Sequence, residues 1–92
     1  MISKVQRTGL IALSASLSAS QQKLSMAMHR FRHNEVMKVD ISDLTYQVGL
    51  IALDTSRVLA GELDAISDFD LGMLHIQGEM VNRKALEIQQ SF

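Results

Sequence analysis

His29 and His33 stand four residues apart. On a helix that spacing turns two imidazoles to one side, the beginning of a metal site. A catalytic zinc takes three protein ligands and a structural one four. No neighbouring carboxylate completes the set along the chain, which leaves Glu35 or His75 to do so through space. Solvated histidines at a helix end are the plainer expectation, and His75 alone reads as a partly buried helix residue rather than a base. Between the two histidines, Arg30-Phe31-Arg32 places cations around an aromatic ring, the nearest approach to a nucleic-acid contact in the chain. The Ser-rich stretch from Ser14 to Ser20 offers hydroxyls but no acid or turn to activate one. The five glycines are scattered and form no phosphate-binding loop. No enzymatic activity, cofactor or metal is therefore expected.

Charge narrows the partners further. Residues 1–34 carry Lys4, Arg7, Lys23, Arg30 and Arg32 with no acid, a formal charge of +5. Residues 35–92 carry ten acids against Lys38, Arg57, Arg83 and Lys84, a formal charge of −6. Five dispersed cations beside an acidic remainder would give weak, salt-sensitive nucleic-acid binding at most. A small regulator using the basic first helix is thus the secondary reading, and its arginines are expected to serve the helix end and salt bridges. Opposite charge on two parts of one chain steers association, within a molecule or between copies.

The elements that carry these groups read as helices. The chain has 92 residues, 47% of them apolar, with no Pro, Cys or Trp. Without Pro nothing forces a helix break. The absence of Cys removes disulfides and thiolate metal sites. A domain of this length buries only about 60–65% of its unfolded surface, so a partner would help stability. No segment approaches the ~20 apolar residues of a membrane span. The basic start followed by Thr8 to Leu17, with Leu17-Ser18-Ala19, imitates a cleaved targeting segment. The helical pattern continuing to Phe31 argues instead for a helix of the mature chain. Export without a signal peptide, or retention in the cytoplasm, is the expectation that goes with it.

Ser3-Lys4-Val5-Gln6 is a capping-box pattern. After it Leu10, Leu13, Leu17, Leu24, Ala27 and Phe31 recur at intervals of three and four, with Ser20 the polar exception. This predicts a first helix over about 3–33, ending near Asn34. Residues 34–40 read as a connection, with Asp40, Ser42 or Asp43 capping a second helix over about 41–66. Its stripe runs Ile41, Leu44, Val48, Ile51, Thr55 and Val58 or Leu59, towards Ile66, and Gly61 is either internal or its stop signal. Ser67-Asp68-Phe69-Asp70 opens a third helix over about 68–91, with Leu71, Leu74, Val81, Ala85, Ile88 and Phe92 on one stripe. Gly78 interrupts that stripe and would admit a neighbouring backbone. Gly9-Leu10-Ile11-Ala12-Leu13 recurs forty residues later as Gly49-Leu50-Ile51-Ala52-Leu53. It reads as coincidence between two Leu/Ala-rich helices, or as a pair of equivalent packing positions.

The expected fold is all-α, an extended helical hairpin or three-helix bundle forming one domain. The expected function is a non-enzymatic helical interaction or self-assembly subunit. Leu10, Leu13, Leu17, Leu24 and Phe31, with Arg30 and Arg32, would meet the stripes led by Leu44, Val48 and Ile51 and by Leu71, Leu74 and Val81 in the contact. The first stripe is about 45 Å long at 1.5 Å per residue, which suggests a dimer or a larger homo-oligomer. Ser/Ala spacing at Ala12, Ala15, Ser16 and Ala19 suits a close helix–helix contact, and six methionines suit adaptable packing. In composition the chain resembles the small axial subunits of export machines, flagellar rod and type III needle or inner-rod proteins. Asp70-Leu71-Gly72-Met73-Leu74-His75-Ile76-Gln77 resembles the acid–Leu/Leu–Gln pattern near their last helix. An inner-rod protein would be expected to run further beyond it, so the resemblance implies one variety of assembly subunit.

Overall fold

The computed structural model describes residues 2–62 and 66–91 and places three helices in them: α1 (Lys4–Arg30), α2 (Glu35–Leu59) and α3 (Asp68–Gln90). The fold is all-α, and the three helices form an up-down-up bundle with extents of 46 × 19 × 18 Å. Cross-contacts fix the directions. Arg7, at the start of α1, reaches the Leu59 carbonyl at the end of α2, while Gln6 reaches Asp68 at the start of α3. The arrangement is therefore a bundle rather than an extended hairpin.

Local signals set the ends. Ser3 closes a full capping box: its hydroxyl accepts from the Gln6 N–H at 3.1 Å, and Gln6 Oε1 accepts from the Ser3 N–H at 2.8 Å. α1 stops at Arg30, earlier than residue 33, because Asn34 begins the next helix instead of ending this one. The Asn34 side chain accepts from the Met37 N–H at 3.1 Å and caps α2. The connection expected over 34–40 is consequently helical, and Asp40, Ser42 and Asp43 lie inside α2. No residue between Asn34 and Asp40 resists helix, and Met37 gains by packing on the core. At the other end, α2 stops at Leu59 and not near 66. Gly61 takes φ +77°. Its N–H donates to the Val58 carbonyl at 3.1 Å, and the Glu62 N–H donates to Arg57 at 3.0 Å. That pair is a Schellman motif, with the left-handed position given to glycine. Ser67 caps α3 by accepting from the Asp70 N–H at 3.1 Å.

The core is one seam. Its buried positions are Leu10, Leu13, Leu17, Ser20, Leu24, Ala27 and Phe31 from α1 and its cap; Ile41, Leu44, Val48, Ile51, Thr55 and Val58 from α2; and Leu71, Leu74, Gly78, Val81 and Ala85 from α3. All three series alternate steps of three and four, the 3.5-residue period of coiled-coil packing. Burying each Leu, Ile or Val here contributes roughly 1.5–3 kcal/mol. Val58, not Leu59, takes the last α2 position. Phe92, expected at the end of the third stripe, lies outside the described residues. At Gly78 a side chain approaches rather than a backbone: the Leu13 δ-methyl fills the space a Cβ would take.

The repeated pentapeptide shows how seam phase overrides local identity. In α1 it buries Leu10 and Leu13 and leaves Ile11 53% exposed; in α2 it buries Ile51 and leaves Leu50 and Leu53 outside. The two copies do not occupy equivalent packing positions.

Candidate interaction surface

The residues expected to form the contact are the chain's own core. Leu10, Leu13, Leu17, Leu24, Phe31, Leu71, Leu74 and Val81 are buried between α1, α2 and α3. The leucine ladder of α1 is thus covered within one molecule, and its length no longer argues for a second.

The basic cluster at the end of α1 is likewise turned to structural use. Arg30 Nη1 donates to the Gln89 carbonyl at 2.9 Å, and its guanidinium lies 5.9 Å from the Phe31 ring centroid. Arg32 Nη1 donates to the His29 carbonyl at 2.9 Å. Arg7 and Arg30 therefore place positive charge at the carboxyl ends of α2 and α3, where the helix dipole favours it. Phe31 is buried and offers no ring face on which a base could stack. His29, His33 and His75 are exposed, and among the described residues no three His, Cys, Asp or Glu side chains are grouped to hold a metal. The expected salt bridges from α1 to the acidic helices are absent among the described residues. The ion pairs there are Lys38–Glu35 at 3.6 Å, Arg57–Glu62 at 3.3 Å and Arg83–Glu79 at 3.4 Å, all local and exposed.

A polar chain crosses the α1–α3 contact. The Ser20 hydroxyl, buried, donates to Asn82 Oδ1; Asn82 Nδ2 donates to Ser16 Oγ at 2.8 Å; and Ser16 donates to the Leu13 carbonyl at 2.7 Å. Every member is satisfied, so the chain fixes the register of α3 on α1 without an unpaired buried group. It absorbs two serines of the stretch from Ser14 to Ser20.

What remains outside is the informative part. On α2, Val36, Val39, Tyr46, Leu50 and Leu53 are exposed. With Asp43 they repeat the three-and-four alternation on the face opposite the core seam. On α3, Phe69, Met73, Ile76 and Met80 do the same. On α1 the matching positions run Val5, Thr8, Ala12, Ala15, Ala19, Gln22 and Met26, all exposed, with small alanines at the centre. α2, apart from Asp43, and α3 are thus apolar on two faces, and the bundle uses one. A second, out-of-phase repeat is written in the sequence, but it is weaker than the seam, and spacing alone does not separate its members from solvent-facing residues. Tyr46 at 69% and Phe69 at 75% exposure show how completely they stand out of the core.

α2 and α3 touch each other less than either touches α1, and a groove opens between them. A cleft of about 360 Å³ is lined by Leu50, Ile51, Met80 and Val81, with Gln47, Asp54, Gln77 and Lys84 at its edge. A second cleft of about 440 Å³, sharing Gln47 and Lys84, continues past Leu44 and Ile88 to Asp40, Asp43 and Glu87. Asp40, Asp43, Asp54 and Glu87 form no ion pair among the described residues. The groove has an apolar middle and a rim of four carboxylates against one lysine. No helix among the described residues is long and apolar enough to cross a membrane. The chain matches no protein-family model, no curated protein and no solved structure.

Proposed function

We propose that this chain is a non-enzymatic helical assembly subunit that binds protein through the outer faces of its bundle. One observation carries the reading: after the core seam is filled, α2 and α3 each retain a second apolar stripe at coiled-coil spacing. Isolated surface apolar residues need no explanation, but a contiguous patch marks an interaction site. An axial subunit of an export machine is one variety of such a protein, in keeping with the composition.

The test places a photo-reactive amino acid at Leu53 or Ile76 of the full chain in its native host. Both positions are exposed, so the fold is retained. Irradiation is expected to yield discrete adducts with protein. Absence of any protein adduct from both positions overturns the reading.

A further inference from the structure

Resting on that reading, we infer that the groove between α2 and α3 receives the outer face of α1 from a second copy of this chain, head to tail. Three observations select this occupant. The groove's rim is acidic and its carboxylates form no ion pair among the described residues, so an occupant that is free of acids and carries cations is favoured. α1 meets both conditions: between Lys4 and Arg30 it contains no Asp or Glu, and the Lys4 and Lys23 side chains, which flank its uncharged stretch from Thr8 to Gln22, enter none of the ion pairs among the described residues. The shapes also complement each other. The exposed face of α1 is narrow at Ala12, Ala15 and Ala19, whereas the groove is walled by the larger Leu50 and Met80. Small residues let a helix approach closely between bulky neighbours.

The same features exclude a symmetric pairing of two grooves. Such a contact would set Asp40, Asp43, Asp54 and Glu87 of one copy against the same acids of the other, and like charges suppress association. A contact between two different faces leaves one of each unused on every dimer. Such a contact either closes into a ring or continues as a filament.

Complementary variants test the geometry. Leu50→Glu with Met80→Glu spoils the groove, and Ala15→Glu spoils the α1 face; all three sites are exposed, so circular dichroism should match the parent. By sedimentation, the parent is expected to exceed the 10.2 kDa of one chain and to lose mass at high salt. Each variant alone is expected to be a single chain. An equimolar mixture should give dimers that grow no further, since each variant supplies the face its partner lacks. A parent that is monomeric at low salt, or a mixture that stays monomeric while the parent associates, overturns the inference. If a photo-reactive residue at Gln47 or Gln77, both exposed at the groove's edge, gives adducts with a different protein only, the assembly reading stands and the second-copy partner falls.

Discussion

Gly49, Gly72 and Gly78 all lie within helices, yet their surroundings separate them. Around Gly49 and Gly72 nothing lies within reach of an added Cβ, whereas at Gly78 the Leu13 methyl already occupies that space. A helical glycine costs roughly 0.5–1 kcal/mol relative to alanine. Gly72→Ala should therefore raise the unfolding free energy by about that amount in urea titration. Gly78→Ala should end at or below the parent, because Leu13 must give way. A parallel gain at both sites would mean that Leu13 does not pack against Gly78. Asn82 acts at the same contact by a different route. Asn82→Ala leaves the buried Ser20 hydroxyl to bond back to its own helix, which should cost about 1–2 kcal/mol in the same titration. Neither effect was legible beforehand. The stripe marked Gly78 and Ser20 as interruptions, but only packing shows that Leu13 and Asn82 answer them.

At the scale of the helices, the strongest periodicities were readable and the boundaries were not. The seam residues from Leu10 to Phe31, Ile41 to Val58 and Leu71 to Ala85 are the stripes the spacing predicts. Asn34 resembles a helix end in sequence because it stands beside a basic run that suits one, and its capping bond to Met37 lies three residues on. Gly61 was ambiguous because a glycine inside a helix and one after it look alike until φ is known. Both assignments now carry consequences. Asn34→Ala should cost about 0.5–2 kcal/mol, with faster amide exchange concentrated at the start of α2. Gly61→Ala should cost about 1–2 kcal/mol, since alanine resists the left-handed region that φ +77° requires. If Gly61→Ala were neutral, the Schellman ending would be wrong and α2 would extend further.

For the whole molecule, the decisive contrast is between two sets of apolar residues that the sequence does not label as inner or outer. The pentapeptide shared by α1 and α2 makes the point, since identical residues are buried in one copy and exposed in the other. Only the flanking seam, set by the requirement that three helices close on one another, decides which face turns inward. The two sets should respond differently to the same kind of change. Leu17 and Leu24 are fully buried, so Leu17→Asp with Leu24→Asp places charges in the core without partners and should abolish helical circular dichroism. Tyr46→Ser, Leu53→Ser and Ile76→Ser together remove only exposed surface, so ellipticity and the urea midpoint should stay near the parent. What they should remove is contact with protein at the outer stripe, read as a fall in photo-adduct yield from a neighbouring probe. If the outer triple variant unfolds instead, those side chains belong to the fold. If it remains folded and keeps the parent's adduct yield, the second stripe is not a contact face.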